Sequence, residues 1–430
     1  MTTLSSTHLC SFPEETIDRI CQQLCPCCSE DPFPRYFLRS KWPNPARDRN
    51  CLLALSLTCQ KLRRISQPHL YHRPMGHDFL GFINTIDGTP ALGKLVKELY
   101  VNADVMESLR VRYLDQFLHR TEYSRARRQL LLEASDSFMP VLLSLTPMLT
   151  KLEVYFECDQ QFSSTPYACL WNLKELNITF PGALNSSYLE GMDGVAGLLR
   201  AAPLLERMQL SEFGTPRAGF YHGNVNEITL RSSLLPIDEM KTIMRRFPKL
   251  QTFRISTPAF WRNIGRRLGP AYKVEDVLML RSDTLKHVAL ELPEHGIDGE
   301  LVIQDLSGMK VLETLYIDSG MLHRRWKQGR QPAPRICHML PKSIKEFGLM
   351  GSAYPLVHEE VVESINISAQ AFPHLKKVFV GQFQEQWPDD GVEWESRYAS
   401  ACEAHNIELS LWLPPSLQDL MSKWTNWNPI

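Results

Sequence analysis

The 430-residue sequence has almost no excess charge, few cysteines and no long apolar run. Lysine and arginine number 47 against 48 aspartates and glutamates, a net charge of −1. The basic surplus of polyanion-binding proteins is missing, so nucleic acid is not an expected partner. Eleven cysteines are too sparse, and odd in number, for a disulfide framework. No window approaches the ~20 apolar residues of a membrane span, so no membrane partner is expected. Residues 1–10 (MTTLSSTHLC) have neither the basic start nor the apolar segment of a secretory signal. The N-x-S/T triplets at Asn177, Asn185 and Asn366 are therefore not expected to carry glycans. A Gly-rich phosphate loop with lysine, a G-x-S-x-G elbow and an H-E-x-x-H pair are all missing. The expectation is a cytoplasmic or nuclear chain with reduced thiols and no catalytic residues.

An apolar fraction of 43%, with 10% aromatics and 22% charged residues, supports a large packed core and excludes a disordered or low-complexity protein. At ~150 residues per domain, the length allows two or three units or one long repeat array.

The first unit reads as helical. Pro13 is pre-set for a first turn, and Glu14 and Glu15 lie where the helix dipole favours negative charge. Ile17, Ile20, Cys21 and Leu24 then recur at helical spacing, and Cys25-Pro26 stops the helix. Five prolines between Cys25 and Asn50 predict a loop. Helical pattern resumes at Cys51, with Leu52, Leu53, Leu55, Leu57, Cys59, Leu62 and Ile65 forming an apolar set too wide for one stripe. Such a set must face both its own core and a second partner. Lys61, Arg63 and Arg64 are expected near the C-terminal end of this helix, where the dipole favours cations.

FPEETIDRICQQL followed by LLALSLTCQKLRRI and PHLYHR resembles an F-box of the kind common in fungal proteins, over about the first 75 residues. The resemblance implies a three-helix module that docks onto a Skp-type adaptor and through it a cullin. It assigns adaptor contact to Phe12, Pro13, Ile17, Leu53 and Leu57, and helix-to-helix packing to Ile20, Leu24, Leu55 and Leu62. Two positions depart from the family: Cys51 stands where an acidic residue is common, and the 25–50 insertion separates the two blocks widely. A helical cap on the repeats behind it is the alternative reading.

Beyond His77 one pattern returns: an apolar residue, two mostly polar ones, an apolar residue, any residue, an apolar residue. It runs from Val96-Leu99-Val101 through Leu149-Leu152-Val154, Leu173-Leu176-Ile178, Leu205-Met208-Leu210 and Val225-Ile228-Leu230. It continues through Leu250-Phe253-Ile255, Leu285-Val288-Leu290, Leu312-Leu315-Ile317, Ile344-Phe347-Leu349 and Leu375-Val378-Val380. Apolar triples alone would occur ~34 times by chance at this composition, so regular recurrence carries the inference. After one gap of 53, successive starts fall 20 to 35 residues apart. Pro147, Pro203, Pro248 and Pro373 each stand two residues before the opening leucine, where proline ends a helix and favours extended geometry. Helical pattern precedes several triples, as in Ile237-Met240-Ile243-Met244-Phe247.

Each repeat thus predicts a strand followed by a helix, stacked as a β/α solenoid over residues 76–413. The strands resemble leucine-rich repeats, although the asparagine expected three residues after the last apolar position is missing and Pro181, Pro258 and Pro293 occupy that place. Irregular turns are therefore expected. The alternative is a single α/β domain with a parallel sheet. Ile407, Leu409, Leu411 and Leu413 alternate as a closing strand, and residues 414–430, with Trp424 and Trp427, form a capping tail. The fold class expected is α/β, an F-box-like module followed by a leucine-rich-repeat-like solenoid.

Two clusters invite ligands. Cys25 and Cys28 make a C-x₂-C pair with His69 and His72 downstream. Zinc-binding histidine pairs normally lie three to five residues apart and here only two intervene, so free thiols, with no metal and no cofactor, are the expectation. Arg324, Arg325, Trp326 and Arg330 form a basic loop that could hold an acidic or phosphorylated target, or simply face solvent. The clusters Arg120–Arg128 and Trp387–Asp390 read in the same two ways. Taken together the sequence predicts a non-catalytic substrate-recognition subunit of an SCF-type ubiquitin ligase, with an unnamed protein target. A repeat scaffold without a ubiquitin link is the alternative.

Overall fold

The computed structural model describes residues 9–25, 27–28, 45–74, 79–101, 141–155, 169–180, 192–213, 220–233, 235, 237–256, 274–291, 303, 305–318, 321, 336–350, 355–380 and 391–411. The fold is α/β, and all the strand pairs it forms are parallel. The chain divides into two compact units that part between Leu205 and Glu206, with residues 182–189 belonging to the second. Among the described residues no helix is long and apolar enough to cross a membrane.

The first unit opens with α1 (Glu14–Leu24), α2 (Pro45–Thr58), α3 (Gln60–His72), α4 (Phe79–Gly88) and α5 (Pro90–Gly93). Helix α1 starts and stops where the sequence indicates, with Pro13 at its N-cap and Cys25 at its C-cap. The second block differs from expectation in two ways. Helix α2 begins at Pro45, six residues inside the stretch expected to be loop, because proline suits the first helical turn. The apolar set that looked too wide for one helix is shared by two, broken at Cys59, which is extended at φ −157° and ψ 167°. Lys61, Arg63 and Arg64 consequently sit in the first turn of α3, not at a C-terminus. Each is used across elements: Lys61 Nζ donates to the Cys10 and Phe12 carbonyls at 3.0 Å, and Arg63 Nε to the Ser56 carbonyl at 3.1 Å. Arg64 pairs with Glu14 at 2.5 Å.

Ile17, Cys21, Leu52, Leu62 and Ile65 form the core of this helical bundle, with Leu9, Leu24, Leu55, Cys59 and Leu70 packed against it. Strands β1 (Glu98–Val101), β2 (Lys151–Tyr155) and β3 (Glu175–Thr179) follow in the same unit. The end of α3 is joined to the start of β1: the His72 carbonyl accepts the Lys97 N–H at 2.9 Å, and Arg73 pairs with Glu98 at 3.7 Å.

The second unit holds β4 (Arg207–Ser211), β5 (Glu227–Arg231), β6 (Thr252–Ser256), β7 (His287–Glu291), β8 (Thr314–Asp318), β9 (Glu346–Met350), β10 (Lys377–Val380) and β11 (Glu408–Ser410). Each strand pairs with the next in chain order. A doubly wound domain reverses its strand order at a switch point, and among the described residues of this unit the order shows no reversal. Helices such as Ile237–Arg246, Pro355–Asn366 and Gly391–Ala404 intervene.

In all ten triples the second and third members lie on a strand and the first lies just before it, and every member except Leu375 is buried. The register stacks them. Met208 pairs with Ile228, then Phe253, Val288, Leu315, Phe347, Val378 and Leu409, one apolar column along the sheet. The polar residue before each strand has its own task. One carbonyl accepts two successive N–H groups of the next repeat: Lys97 from Thr150 and Lys151, Gln251 from Lys286 and His287, Lys345 from Lys376 and Lys377. Ion pairs run along the same edge, Arg254 to Glu227 at 2.7 Å, Lys345 to Glu313 at 2.9 Å and Lys377 to Glu408 at 2.6 Å.

The prolines act as turn residues. Thr146, Ala202, Phe247 and Phe372 each accept the N–H of the opening leucine three residues on, at 3.0 to 3.2 Å, which places Pro147, Pro203, Pro248 and Pro373 at the second position of the turn. That position needs the φ that proline already has. At the other end of the strand serine side chains hold the turns, and Ser233 stands where one asparagine is missing. Ser233 Oγ accepts the Phe213 N–H at 3.1 Å and donates to the Arg231 carbonyl at 2.9 Å, and Ser256 Oγ accepts the Ser232 N–H at 3.3 Å. Glu212 and Ser232 take left-handed φ of 56° and 48° at these irregular turns.

The strands are not all alike across their second face. β2 and β3 alternate buried and half-buried residues, whereas β7 to β9 are buried on both sides. Ala289, Tyr316, Met350 and Phe379 form a separate apolar cluster on that second face. Gly348 lies between Tyr316 and Phe379, whose rings are 5.9 Å apart, and a Cβ there would come within 2.6 Å of Tyr316 Cε1. The closing strand, expected through Leu413, spans Glu408–Ser410 within the described residues.

Candidate functional site

The helical bundle carries the residues assigned to adaptor contact, and the structure separates them. Phe12 is 39% exposed, Leu53 40% and Leu57 69%, and Pro13 is exposed as well. Leu53 and Leu57 are one turn apart on α2 and share a face. Lys61 fixes the backbone at Phe12 through its hydrogen bond to that carbonyl. Ile17 is different: at 1% exposure it belongs to the bundle core and offers no surface. Ile20, expected to hold helices together, is 39% exposed. The two isoleucines exchange roles because positions three apart on α1 differ by ~60° around the helix, and only packing shows which one the bundle covers. Leu62 is buried, and Leu24 and Leu55 are half-buried, as packing residues should be.

A second cluster sits at the other end of the bundle. Cys25 caps α1, and the Cys28 N–H donates back to the Cys25 carbonyl at 3.1 Å, closing a tight turn. His69 and His72 lie three residues apart in the last turn of α3, so both rings point to one side, with centroids 5.2 Å apart. One ligand atom from each of Cys25, Cys28, His69 and His72 lies within 4.8 Å of all the others. His72 Nδ1 is 3.1 Å from Cys28 Sγ and 3.6 Å from Cys25 Sγ. His69 Nε2 meets Asp18 Oδ1 at 2.8 Å, and Gln22 Nε2 donates to the other Asp18 oxygen at 2.7 Å. His69 Nδ1 is buried and makes no hydrogen bond of proper geometry, although the Cys25 sulfur is near its ring.

The titratable groups of this cluster shift one another. The Cys27 thiol, then His69 and His72, hold the Cys25 thiol far below its usual range against the opposing effect of burial. His69 is raised, first by Cys25 and, against desolvation, by Asp18. Asp18 is lowered, chiefly by His69. Cys28 is pushed up to about 12 by burial and by Cys25.

The cysteines are free thiols, as the sequence suggests, but Cys25 is buried and converges with Cys28, His69 and His72. The spacing argument did not foresee this convergence because it counted intervening residues without the helical period. The i and i+3 positions of a helix lie on one face, so H-x₂-H on α3 presents two rings together. The usable signal was C-x₂-C directly after one helix and H-x₂-H at the end of another.

A further buried acid lies in the second unit. Glu291, at the end of β7, is pushed up to about 8 by burial and secondarily by Asp318 on the adjacent strand. The basic loop with Arg324, Arg325, Trp326 and Arg330 lies outside the described residues, as do Arg120–Arg128, Trp387–Asp390 and the tail 414–430.

Comparison with known protein families finds no matching family, and comparison with curated proteins finds no relative.

Proposed function

We propose that the chain is a substrate-recognition subunit of an SCF-type ubiquitin ligase, docking a Skp-type adaptor through its helical bundle and a protein target through its strand repeats. The two N-terminal sequence blocks resemble an F-box, and the repeats resemble irregular leucine-rich repeats. The observation that carries the reading is the set of large apolar side chains, Phe12, Ile20, Leu53 and Leu57, left exposed on a bundle whose core is built from Ile17, Cys21, Leu52, Leu62 and Ile65. Isolated exposed leucines are ordinary, but four such residues on one small bundle leave a surface that a partner would cover. The chain performs no chemistry in this reading; ubiquitin transfer belongs to other subunits. The scaffold alternative keeps target binding by the repeats and drops the adaptor.

Co-purification with a Skp-type adaptor tests the proposal. Wild-type chain should recover the adaptor, and a Leu53→Asp/Leu57→Asp variant of unchanged stability should not. Equal recovery, or none with either, leaves the scaffold reading standing.

A further inference from the structure

We propose that Cys25, Cys28, His69 and His72 are the four ligands of a structural zinc site that pins the end of α1 and its following turn to the last turn of α3. The donor set is the first reason. Two thiols and two imidazoles suit zinc, whereas magnesium and calcium require oxygen ligands.

Size is the second reason. Zinc–sulfur bonds of ~2.3 Å and zinc–nitrogen bonds of ~2.0–2.1 Å in a tetrahedron place ligand atoms ~3.3 to 3.8 Å apart. Of the His72 Nδ1 separations from the two sulfurs, 3.6 Å falls within that range and 3.1 Å just below it, and all four atoms lie within 4.8 Å of one another.

The third reason is independent of the cluster's mere existence. His69 Nδ1 is buried without a hydrogen bond while Nε2 of the same ring is held by Asp18. That is the arrangement of a zinc-bound histidine, in which a carboxylate fixes the far nitrogen and leaves the near one for the metal. Asp18, itself steadied by Gln22, is then a positioning residue. Four protein ligands leave no open position, so the site is structural and holds no substrate.

Its mechanical consequence follows from where α3 ends. His72 supplies both an imidazole to the cluster and, through its carbonyl, the hydrogen bond to Lys97 that opens the first strand. A metal there would fasten the helical bundle to the start of the strand series within the first unit. This inference does not depend on adaptor docking, because metal content is read on the isolated chain and adaptor recovery on a mixture.

The experiment uses the full chain purified without chelator. Elemental analysis should give one zinc per chain, and cobalt substitution should give the intense visible d–d bands of a tetrahedral site. Cys28→Ser and His72→Ala should lose the metal, while Cys27→Ser and His72→Cys, which keep four usable ligands, should retain it. Asp18→Asn should weaken zinc binding ~10–100-fold. Chelation should lower the melting temperature and expose Cys25 and Cys28 to alkylation, whereas Cys10 and Cys51, already exposed, should react equally before and after. The proposal is overturned if the wild-type chain holds no zinc and takes up neither zinc nor cobalt on titration. It is also overturned if Cys27→Ser abolishes binding while Cys28→Ser preserves it.

Discussion

Truncating Ile17 and Leu57 to alanine should damage this protein in opposite ways. Ile17 is 1% exposed and packs among Cys21, Leu52, Leu62 and Ile65, where removing its outer carbons leaves a cavity that the bundle can only partly close. A buried Ile→Ala change costs ~2–5 kcal/mol. For a unit of this size each kcal/mol lowers the melting temperature by ~2–4 °C, so Ile17→Ala should melt on the order of 10 °C below wild type. Leu57 is 69% exposed, so its truncation should leave stability within ~0.5 kcal/mol of wild type. Full burial of a leucine is worth ~1.5–3 kcal/mol, and roughly two thirds of that is still available to a partner. Leu57→Ala should therefore weaken adaptor binding by ~1–2 kcal/mol, about 5- to 30-fold in Kd. Differential scanning fluorimetry and calorimetric titration with the adaptor measure the two effects separately. The reasoning fails if Ile17→Ala melts with wild type, or if Leu57→Ala destabilises the chain as much as Ile17→Ala does.

Two further outcomes concern the second unit. Gly348→Ala should cost ~1–3 kcal/mol, because the new Cβ meets the Tyr316 ring and lies 3.0 Å from Phe379 Cδ1; a urea midpoint equal to wild type would show that these rings give way freely. Glu291 keeps its proton in the folded state up to about pH 8 but ionises in the unfolded chain near its ordinary value of 4.5. The folded state thus binds more protons between those values, and its stability should fall as pH rises from ~5 to ~8 and level off above. Glu291→Gln should remove that slope; parallel urea-midpoint profiles for variant and wild type from pH 5 to 9 would refute the assignment.

The strand series was legible in the sequence because its signals are local and repeated. An apolar triple, a polar pair before each strand and a proline two residues ahead of the leucine each have a short-range cause, and ten recurrences outweigh chance. The same locality placed α1, whose start and stop are written in Pro13 and Cys25-Pro26. It was misleading where a short motif allowed two geometries. An apolar set spread from Leu52 to Ile65 does not reveal that Cys59 leaves the helix, and one stripe on α1 does not reveal that the bundle covers Ile17 and leaves Ile20 outside. The turn hydrogen bonds of Ser233, at a missing-asparagine position, and of Ser256 were equally hidden, since a hydroxyl's partner is set by the neighbouring turn. The thiol–imidazole cluster shows the division most sharply. Its residue types and the periods that aim them are sequence properties, but Cys28 and His69 are forty-one positions apart. Only the packing of α1 on α3, through Ile17, Cys21, Leu62 and Ile65, brings the two pairs within 4.8 Å of each other, and contact across that separation is a property of the folded core.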